Sequence, residues 1–292
     1  MGVLTCPVCN GGLADEGRVL RCPKGHAFDR AREGHVDLLP AGHGRTGIAG
    51  DSAEMVRARR RFLDGGHFTP IADAVAELAL PVLGGAGDEP GGDPERRVVV
   101  DAGCGEGWYL GKLAAALPPT VRWASCLLGF DVSKDAVRLA AKAHPDARFF
   151  RNDVASRLCV ADGVADVLLN VFAPRNPEEF ARVLRPGGRA LVVIPRVEHL
   201  NELRRVVPLL RVDDDKRDRT LERLGGAFEL VDEREVAYQV ELGPTDLGDL
   251  VGMTPSARHL HDGDLLRLGR LAGLTVRIGV FVLAFAPRAT AP

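Results

Sequence analysis

Four residues near the start have the types and spacing to hold a metal ion. Cys6-Pro-Val-Cys9 and Cys22-Pro-Lys-Gly-His26 together read C-x2-C-x12-C-x3-H. Each half is a tight knuckle that turns two side chains toward one point, and the spacer is long enough for a short hairpin to bring the halves together. Thiolates with one imidazole select zinc among the available divalent ions, and four protein ligands leave no open position, so the expected metal is structural. His35 and His43 are rivals for the fourth ligand, with the x3 spacing favouring His26. Reduced cysteines that merely look like a site are the plain alternative. A segment of about 40 residues with few large apolar side chains does not fold on burial alone, and a metal supplies the missing stability.

A second constellation lies at RVVVDAGCGEGWYLGKL, Arg97 to Leu113. Val98 to Val100 suit a strand buried on both faces, and Leu110, Leu113, Ala114 and Leu117 recur at helical spacing. Gly103, Gly105 and Gly107 therefore occupy a strand-to-helix turn, where a backbone without side chains can bend and let a ligand approach closely. A dinucleotide fingerprint would need its third glycine at Trp108, so that ligand is disfavoured. The spacing D-x-G-x-G-x-G instead resembles motif I of the class I S-adenosylmethionine-dependent methyltransferases, whose loop holds the methionine end of the cofactor. A turn with no ligand is the alternative. Against it stands LLGFDV, Leu127 to Val132, which ends near Asp131, an acid placed to accept hydrogen bonds from both ribose hydroxyls.

These side chains need a doubly wound frame, and the pattern supplies one. Asp51-Ser52-Ala53-Glu54 resembles a capping box that opens a helix carrying Met55, Val56, Phe62 and Leu63. Ile71 to Val82 reads as a helix, Ser133 to His144 as another with Ser133 at its N-cap, and Arg148 to Asn152 as a third strand. Ala165 to Val171 is the fourth strand, and Glu178 to Gly188 a helix stopped by Pro186 and paired glycines before the strand Ala190 to Ile194. Phe228 to Val240 and Val276 to Phe285 are the final strands, and the charges from Val212 to Arg219 a solvated face. Ala41 to Gly50, Leu83 to Glu95 and the tail APRATAP are expected to be flexible. Cys104, Cys126 and Cys159 are isolated and suit small apolar fillers. The expected organisation is a zinc ribbon over 1–40, a linker with covering helices over 41–95, and an α/β, Rossmann-like catalytic domain over 96–292.

Composition bounds the function. The chain has 292 residues, 46% hydrophobic and 27% charged, with a formal net charge of −2, so nucleic-acid binding must rest on a local basic patch. No apolar run approaches the roughly 20 residues of a membrane helix. The start, MGVLTCPVCN, carries no export signal, and the crowding of cysteines into the first knuckles suits a reducing cytoplasm.

The segments CPVC, CPKGHAFDRAREGHVDLLP, GDSAEMVRARRRFLDGGHF, DAGCGEG, GFDVSK, NVFAPRNPEE and MTP occur in the order seen in the 23S ribosomal RNA (guanine-N1-)-methyltransferases, from Cys6 to about Pro255. The chain resembles that family, which includes enzymes giving resistance to macrolides of the tylosin type, and NVFAPRNP resembles its Gram-positive, resistance-type branch. The resemblance puts the zinc ligands on Cys6, Cys9, Cys22 and His26. It implies a homodimer with a cleft for a hairpin of 23S rRNA, the ribbon helping to recognise it. It also implies that Phe68 closes over the cofactor, where the family commonly has tyrosine, and that Tyr109, Leu110 and His199 lie against S-adenosylmethionine. Asp153 takes the place of a carboxylate that class I enzymes often set near the adenine.

For the substrate, ligands of open α/β sheets bind beyond the carboxyl ends of the strands, which selects the loop NVFAPRNP. There Phe172 could stack on a guanine and Asn170 bond its edge, with Arg175 alongside; the alternative packs Phe172 beneath the loop. Arg57, Arg59, Arg60 and Arg61 either contact RNA phosphates or form a solvated basic helix. The function expected is methylation of guanine N1 in a 23S rRNA hairpin loop. A small-molecule methyltransferase with a structural ribbon and a non-catalytic RNA-binding module are the competing readings.

Overall fold

The computed structural model describes residues 2–39, 50–84 and 97–288. Most of Ala41 to Gly50, most of Leu83 to Glu95, the end of the tail, and with them His43, lie outside the described residues. Three short strands, β1 (Ala14–Asp15), β2 (Val19–Arg21) and β3 (Ala27–Asp29), form an antiparallel ribbon, the expected hairpin lying between the two knuckles. The next strand, β4 (Val36–Asp37), leaves the ribbon and pairs in parallel with a strand of the main sheet, β7 (Arg148–Arg151).

Two helices follow, α1 (Ala53–Asp64) and α2 (Thr69–Gly84), the first capped by the Ser52 hydroxyl, which accepts from the Met55 N–H. The α/β core then runs β5 (Val98–Ala102), α3 (Trp108–Ala116), α4 (Pro119–Ala124), β6 (Cys126–Asp131), α5 (Lys134–Ala143), β7, β8 (Ala165–Val171), α6 (Pro177–Val183) and β9 (Leu184–Pro195). It closes with α7 (Asn201–Arg204), α8 (Lys216–Gly225), β10 (Phe228–Leu242), α9 (Pro244–Gly252), a 3-10 turn (Pro255–His259), α10 (Asp262–Gly269) and β11 (Leu274–Pro287).

The large sheet has the order β10-β11-β9-β8-β5-β6-β7-β4, parallel from β9 to β4, with β11 antiparallel to both of its neighbours. Successive side chains of β5 serve two cores. Val99 joins one with α2, α3 and α5, while Val98 and Val100 join another that holds Phe180, Leu224 and the ribbon residues Leu4, Leu20 and Leu38. That is why the strand is apolar throughout rather than alternating. The ribbon thus shares a core and a sheet with the domain it precedes.

One helix boundary departs from expectation. The helix expected to be stopped by Pro186 and the glycines ends slightly earlier, at Val183, and the chain is already extended at Leu184, opposite Ala165. Gly187 turns there at φ 81°, which lets the strand rejoin β8 at Arg189 opposite Val167. The charged run from Val212 to Arg219 is exposed or half-buried, as a solvated face should be, and passes into α8, whose buried residues Thr220 and Leu224 follow it.

Candidate active site and metal cluster

The ligand atoms of Cys6, Cys9, Cys22 and His26 all lie within 4.8 Å of one another. Cys9 Sγ stands 3.6 Å from Cys22 Sγ, and His26 Nδ1 is 3.3 Å from Cys22 Sγ and 3.6 Å from Cys6 Sγ. Tetrahedral zinc with bonds near 2.3 Å sets sulfurs about 3.7 Å apart, so the donor set and its spacing fit that ion. His35 is buried outside this group, and its Nδ1 has no partner among the described residues.

The sheet order reverses between β5 and β8, and the glycine loop and the loop after Asn170 meet at that switch point. Gly103 has φ 79°, and a Cβ there would lie 2.6 Å from the Cβ of Ala173, so the two loops touch only because this residue has no side chain. Asp131 pins the glycine loop: its Oδ2 accepts from Gly105 N at 3.0 Å and its Oδ1 from Ser133 N at 2.8 Å. Each oxygen keeps a lone pair for a ribose hydroxyl.

Buried acids line this loop with few cations to balance them. Asp101 Oδ2, Glu106 Oε2 and the Tyr109 hydroxyl have no hydrogen-bond partner among the described residues, although Arg59 stands at ion-pair distance from Glu106. Burial, with Asp131 and Glu106 nearby, pushes Asp101 up to about 8. Burial pushes Glu106 up to about 7, with Arg59 pulling the other way, and burial also raises Asp131 against the N–H groups it accepts from. Unpartnered acceptors in a water-poor pocket suit a cationic ligand, and S-adenosylmethionine carries both a sulfonium and an ammonium group. Sequence reasoning passed over Asp101 and Glu106 as binding residues. The signal was there: a carboxylate ending a wholly buried strand, and another between two glycines of a turn.

Arg59 does not project into solvent from its helix. Its guanidinium turns inward, bonds Asp51 and the Met253 carbonyl at 3.2 Å, and lies 4.0 Å from Glu106 Oε2. Arg60 pairs with Asp64 at 2.7 Å along its own helix, and Arg61 grips both oxygens of Asp249. Leu110 is fully buried in the core behind the loop, whereas the Tyr109 hydroxyl remains unpartnered. Asp153 follows β7 and accepts from Ala155 N at 2.8 Å.

Above the loop three rings gather. Phe68 and Phe172 centroids are 6.2 Å apart, Phe172 and His199 6.1 Å at an interplanar angle of 27°, and Phe68 and His199 6.3 Å. Phe68 is buried, but Phe172 is 42% exposed and held at φ 52°, so it does not pack beneath its loop. A bulky side chain at positive φ is strained and persists where surroundings hold it. Asn170 supplies that hold rather than a base contact: its Nδ2 donates to the carbonyls of Ala102 at 3.1 Å and Pro174 at 2.8 Å, leaving Oδ1 unpartnered. Burial, then Arg204, lowers His199 to about 4, and its Nδ1 accepts from Gly279 N at 3.3 Å. The ring is therefore neutral near pH 7, with its proton on Nε2.

Comparison with known proteins joins these parts. Residues 4–46 match the family model described as RlmA, N-terminal, and residues 99–188 match that of a methyltransferase domain. A Streptomyces fradiae protein named 23S rRNA (guanine(748)-N(1))-methyltransferase is 41% identical over 272 residues, covering 93% of this chain and 91% of the relative. This chain belongs to the 23S rRNA (guanine-N1-)-methyltransferase family. A Micromonospora griseorubida relative bearing the same family name is 42% identical over 95% of this chain and 93% of its own. A Bacillus subtilis relative is 35% identical over 68% of this chain and 66% of its own. As a member of the family, the chain has the two parts its site requires: a Cys3His cluster suited to zinc and a class I methyltransferase core suited to S-adenosylmethionine. No helix among the described residues is long and apolar enough to cross a membrane.

Proposed function

We propose that this protein transfers a methyl group from S-adenosylmethionine to N1 of a guanine in a 23S rRNA hairpin loop, the guanine equivalent to the one named for the Streptomyces fradiae relative, with the N1 proton released to water and S-adenosylhomocysteine as the leaving group. The observation that carries the reading is Phe172: an exposed ring at positive φ, at the carboxyl ends of the parallel strands, directly above a loop of unpartnered acceptors. The relatives' names supply the base and the RNA.

The cofactor, when bound, supplies an already activated methyl on sulfur. Asp101, Glu106 and the Tyr109 hydroxyl hold the cationic methionine end, Asp131 the ribose, and Phe68 covers the pocket. Asp153 takes the adenine side, as the resemblance implies. Phe172 stacks on the guanine, and Arg175 follows it toward the RNA backbone. The chain's contribution is alignment and exclusion of water, since an in-line near-attack geometry removes most of the entropic barrier. Neutral His199, facing Phe172, offers an N–H donor rather than a charge. The homodimer and the cytoplasmic location belong to this proposal on the strength of the resemblance, and sedimentation velocity checks the dimer.

Purified protein, S-adenosylmethionine and unmodified 23S rRNA test the function by mapping reverse-transcription stops. A stop at one hairpin-loop guanine is expected. Tight cofactor binding with no modified nucleotide in any RNA would sink the proposal, and methylation of a small molecule alone would replace it.

A further inference from the structure

We propose that Arg175, Lys216 and Arg223 form a phosphodiester-binding cluster that grips the RNA backbone beside the target guanosine, an inference that rests on the RNA methyltransferase reading above. Arg175 ends the loop that carries Phe172, and the Asn170 amide ties that loop down through the Pro174 carbonyl at 2.8 Å. The Arg175 side chain is half-buried, and its Nε is fully covered with no partner among the described residues. Arg223 Nη2 donates to the Arg175 carbonyl at 2.9 Å, which seats α8 against the loop.

The charges facing these groups are mainly positive, with Asp213 the exception at Lys216. Burial and then Arg223 hold the Arg175 guanidinium below its ordinary range. Burial, then Arg175, lowers Lys216, with Asp213 opposing and Arg219 adding to the shift. Four of the acids nearby are engaged elsewhere: Asp213 and Asp215 by Arg219, and Glu233 and Asp218 by Arg217. Among the described residues no carboxylate bonds Arg175, Lys216 or Arg223, although acids meet most arginines of this face, such as Arg182 with Glu179 and Arg185 with Asp166. Half-buried Arg175 and Lys216 beside the exposed Arg223 repel one another, and an anion between them relieves the repulsion.

The anion is identified by its surroundings. The cluster starts three residues after an exposed aromatic ring, and proteins that hold single-stranded nucleic acid pair such rings with cations that track the backbone. A net charge of −2 leaves that attraction to a local patch.

The test uses full-length, zinc-loaded protein and a 23S rRNA hairpin fragment carrying the target guanine. Binding is followed by fluorescence anisotropy from roughly 50 to 300 mM salt. Arg175→Gln, Lys216→Gln and Arg223→Gln are each expected to lower the slope of log K against log salt by about 0.7 to 0.9. They should weaken RNA binding several-fold while leaving the calorimetric affinity for S-adenosylhomocysteine unchanged. Arg234→Gln, whose guanidinium is already paired with Asp232, should change neither. Wild-type slope and affinity in the Lys216 and Arg223 variants, which alter only partly exposed positions on α8, would overturn the cluster even if Arg175→Gln does not fold. Should the wild-type protein bind RNA with a salt slope that all variants share, the cluster falls and the functional reading stands; if the wild type binds no RNA, both fall.

Discussion

At the scale of single residues the site combines a strained ring with underpaired acids, and each makes a separate prediction. Stacking of a base on an aromatic ring is worth roughly 1 to 3 kcal/mol. Phe172→Ala is therefore expected to lower kcat/KM for RNA about 10- to 100-fold with a smaller effect on the affinity for S-adenosylhomocysteine, because the ring is open to solvent on one side while the other meets Phe68 and His199. An equal loss of cofactor affinity in that variant would place the ring on the wrong ligand. Asp101 predicts a pH dependence. Its carboxyl is raised from an ordinary 3.8 to about 8 by burial and by Asp131 and Glu106. Below pH 4 folded and unfolded chains both hold the proton; between 4 and 8 only the folded chain does, so stability falls as pH rises through this window and levels off above it. The melting temperature of the cofactor-free protein should drop from pH 6 to pH 8.5. A cationic ligand favours the ionised acids, so cofactor binding should release protons and tighten across the same range. Calorimetry in buffers of different ionisation enthalpy reads that release, and Asp101→Asn should abolish most of it.

At the scale of elements the ribbon is not a bead on a string. The chain that leaves the ribbon contributes β4, the eighth strand of the main sheet, and Leu38 N donates to the Arg151 carbonyl at 3.1 Å. Cys6 and Cys22 are counted in the same core as Val98 and Phe150. Stripping zinc should therefore not melt the ribbon alone. We expect a chelator, or Cys22→Ser, to lower the melting temperature by roughly 10 °C in one cooperative transition, since a structural zinc contributes folding free energy directly. Two separate calorimetric transitions would show the ribbon to be independent. The strand-to-helix turn, the parallel strands and the metal knuckles were readable because each has a short-range signature: a glycine spacing, an apolar run, a paired Cys-x2-Cys. The pairing of β4 with β7 was not, because two residues carry no periodicity and their partner lies more than a hundred positions away. The end of α6 was misread for a related reason. Pro186 and the glycines mark the turn correctly, but sheet pairing of Leu184 overrides helical propensity before that turn is reached. The direction of Arg59 could not be read either, since four arginines within five positions of one helix look alike until the partners of each are known.

At the scale of the molecule segments from three parts of the chain meet at Arg59, beside the glycine loop. Asp51 comes from the start of the covering helices, Glu106 from the glycine loop, and the Met253 carbonyl from the turn after α9, whose sequence MTP belongs to the family resemblance. A second tie, Arg61 with Asp249, holds α1 to α9, and Gly252 lets the two helices approach, a Cβ there lying 3.3 Å from that of Ala58. Removing one member of a buried ionic group leaves the others uncompensated, a loss of about 3 to 5 kcal/mol when burial is complete. The Arg59 side chain is 23% exposed, so solvent screening reduces this. We expect Arg59→Gln to weaken S-adenosylhomocysteine binding about 10-fold, the equivalent of roughly 1.4 kcal/mol. Amide exchange should quicken at both 101–107 and 249–253, although those segments are far apart in sequence. Arg59→Lys keeps the charge but not the planar fork that reaches an acid and a carbonyl together, so it should restore the melting temperature more than the cofactor affinity. If exchange quickens only within α1 and the affinity for S-adenosylhomocysteine holds, Arg59 stabilises its own helix and the three-way junction is wrong.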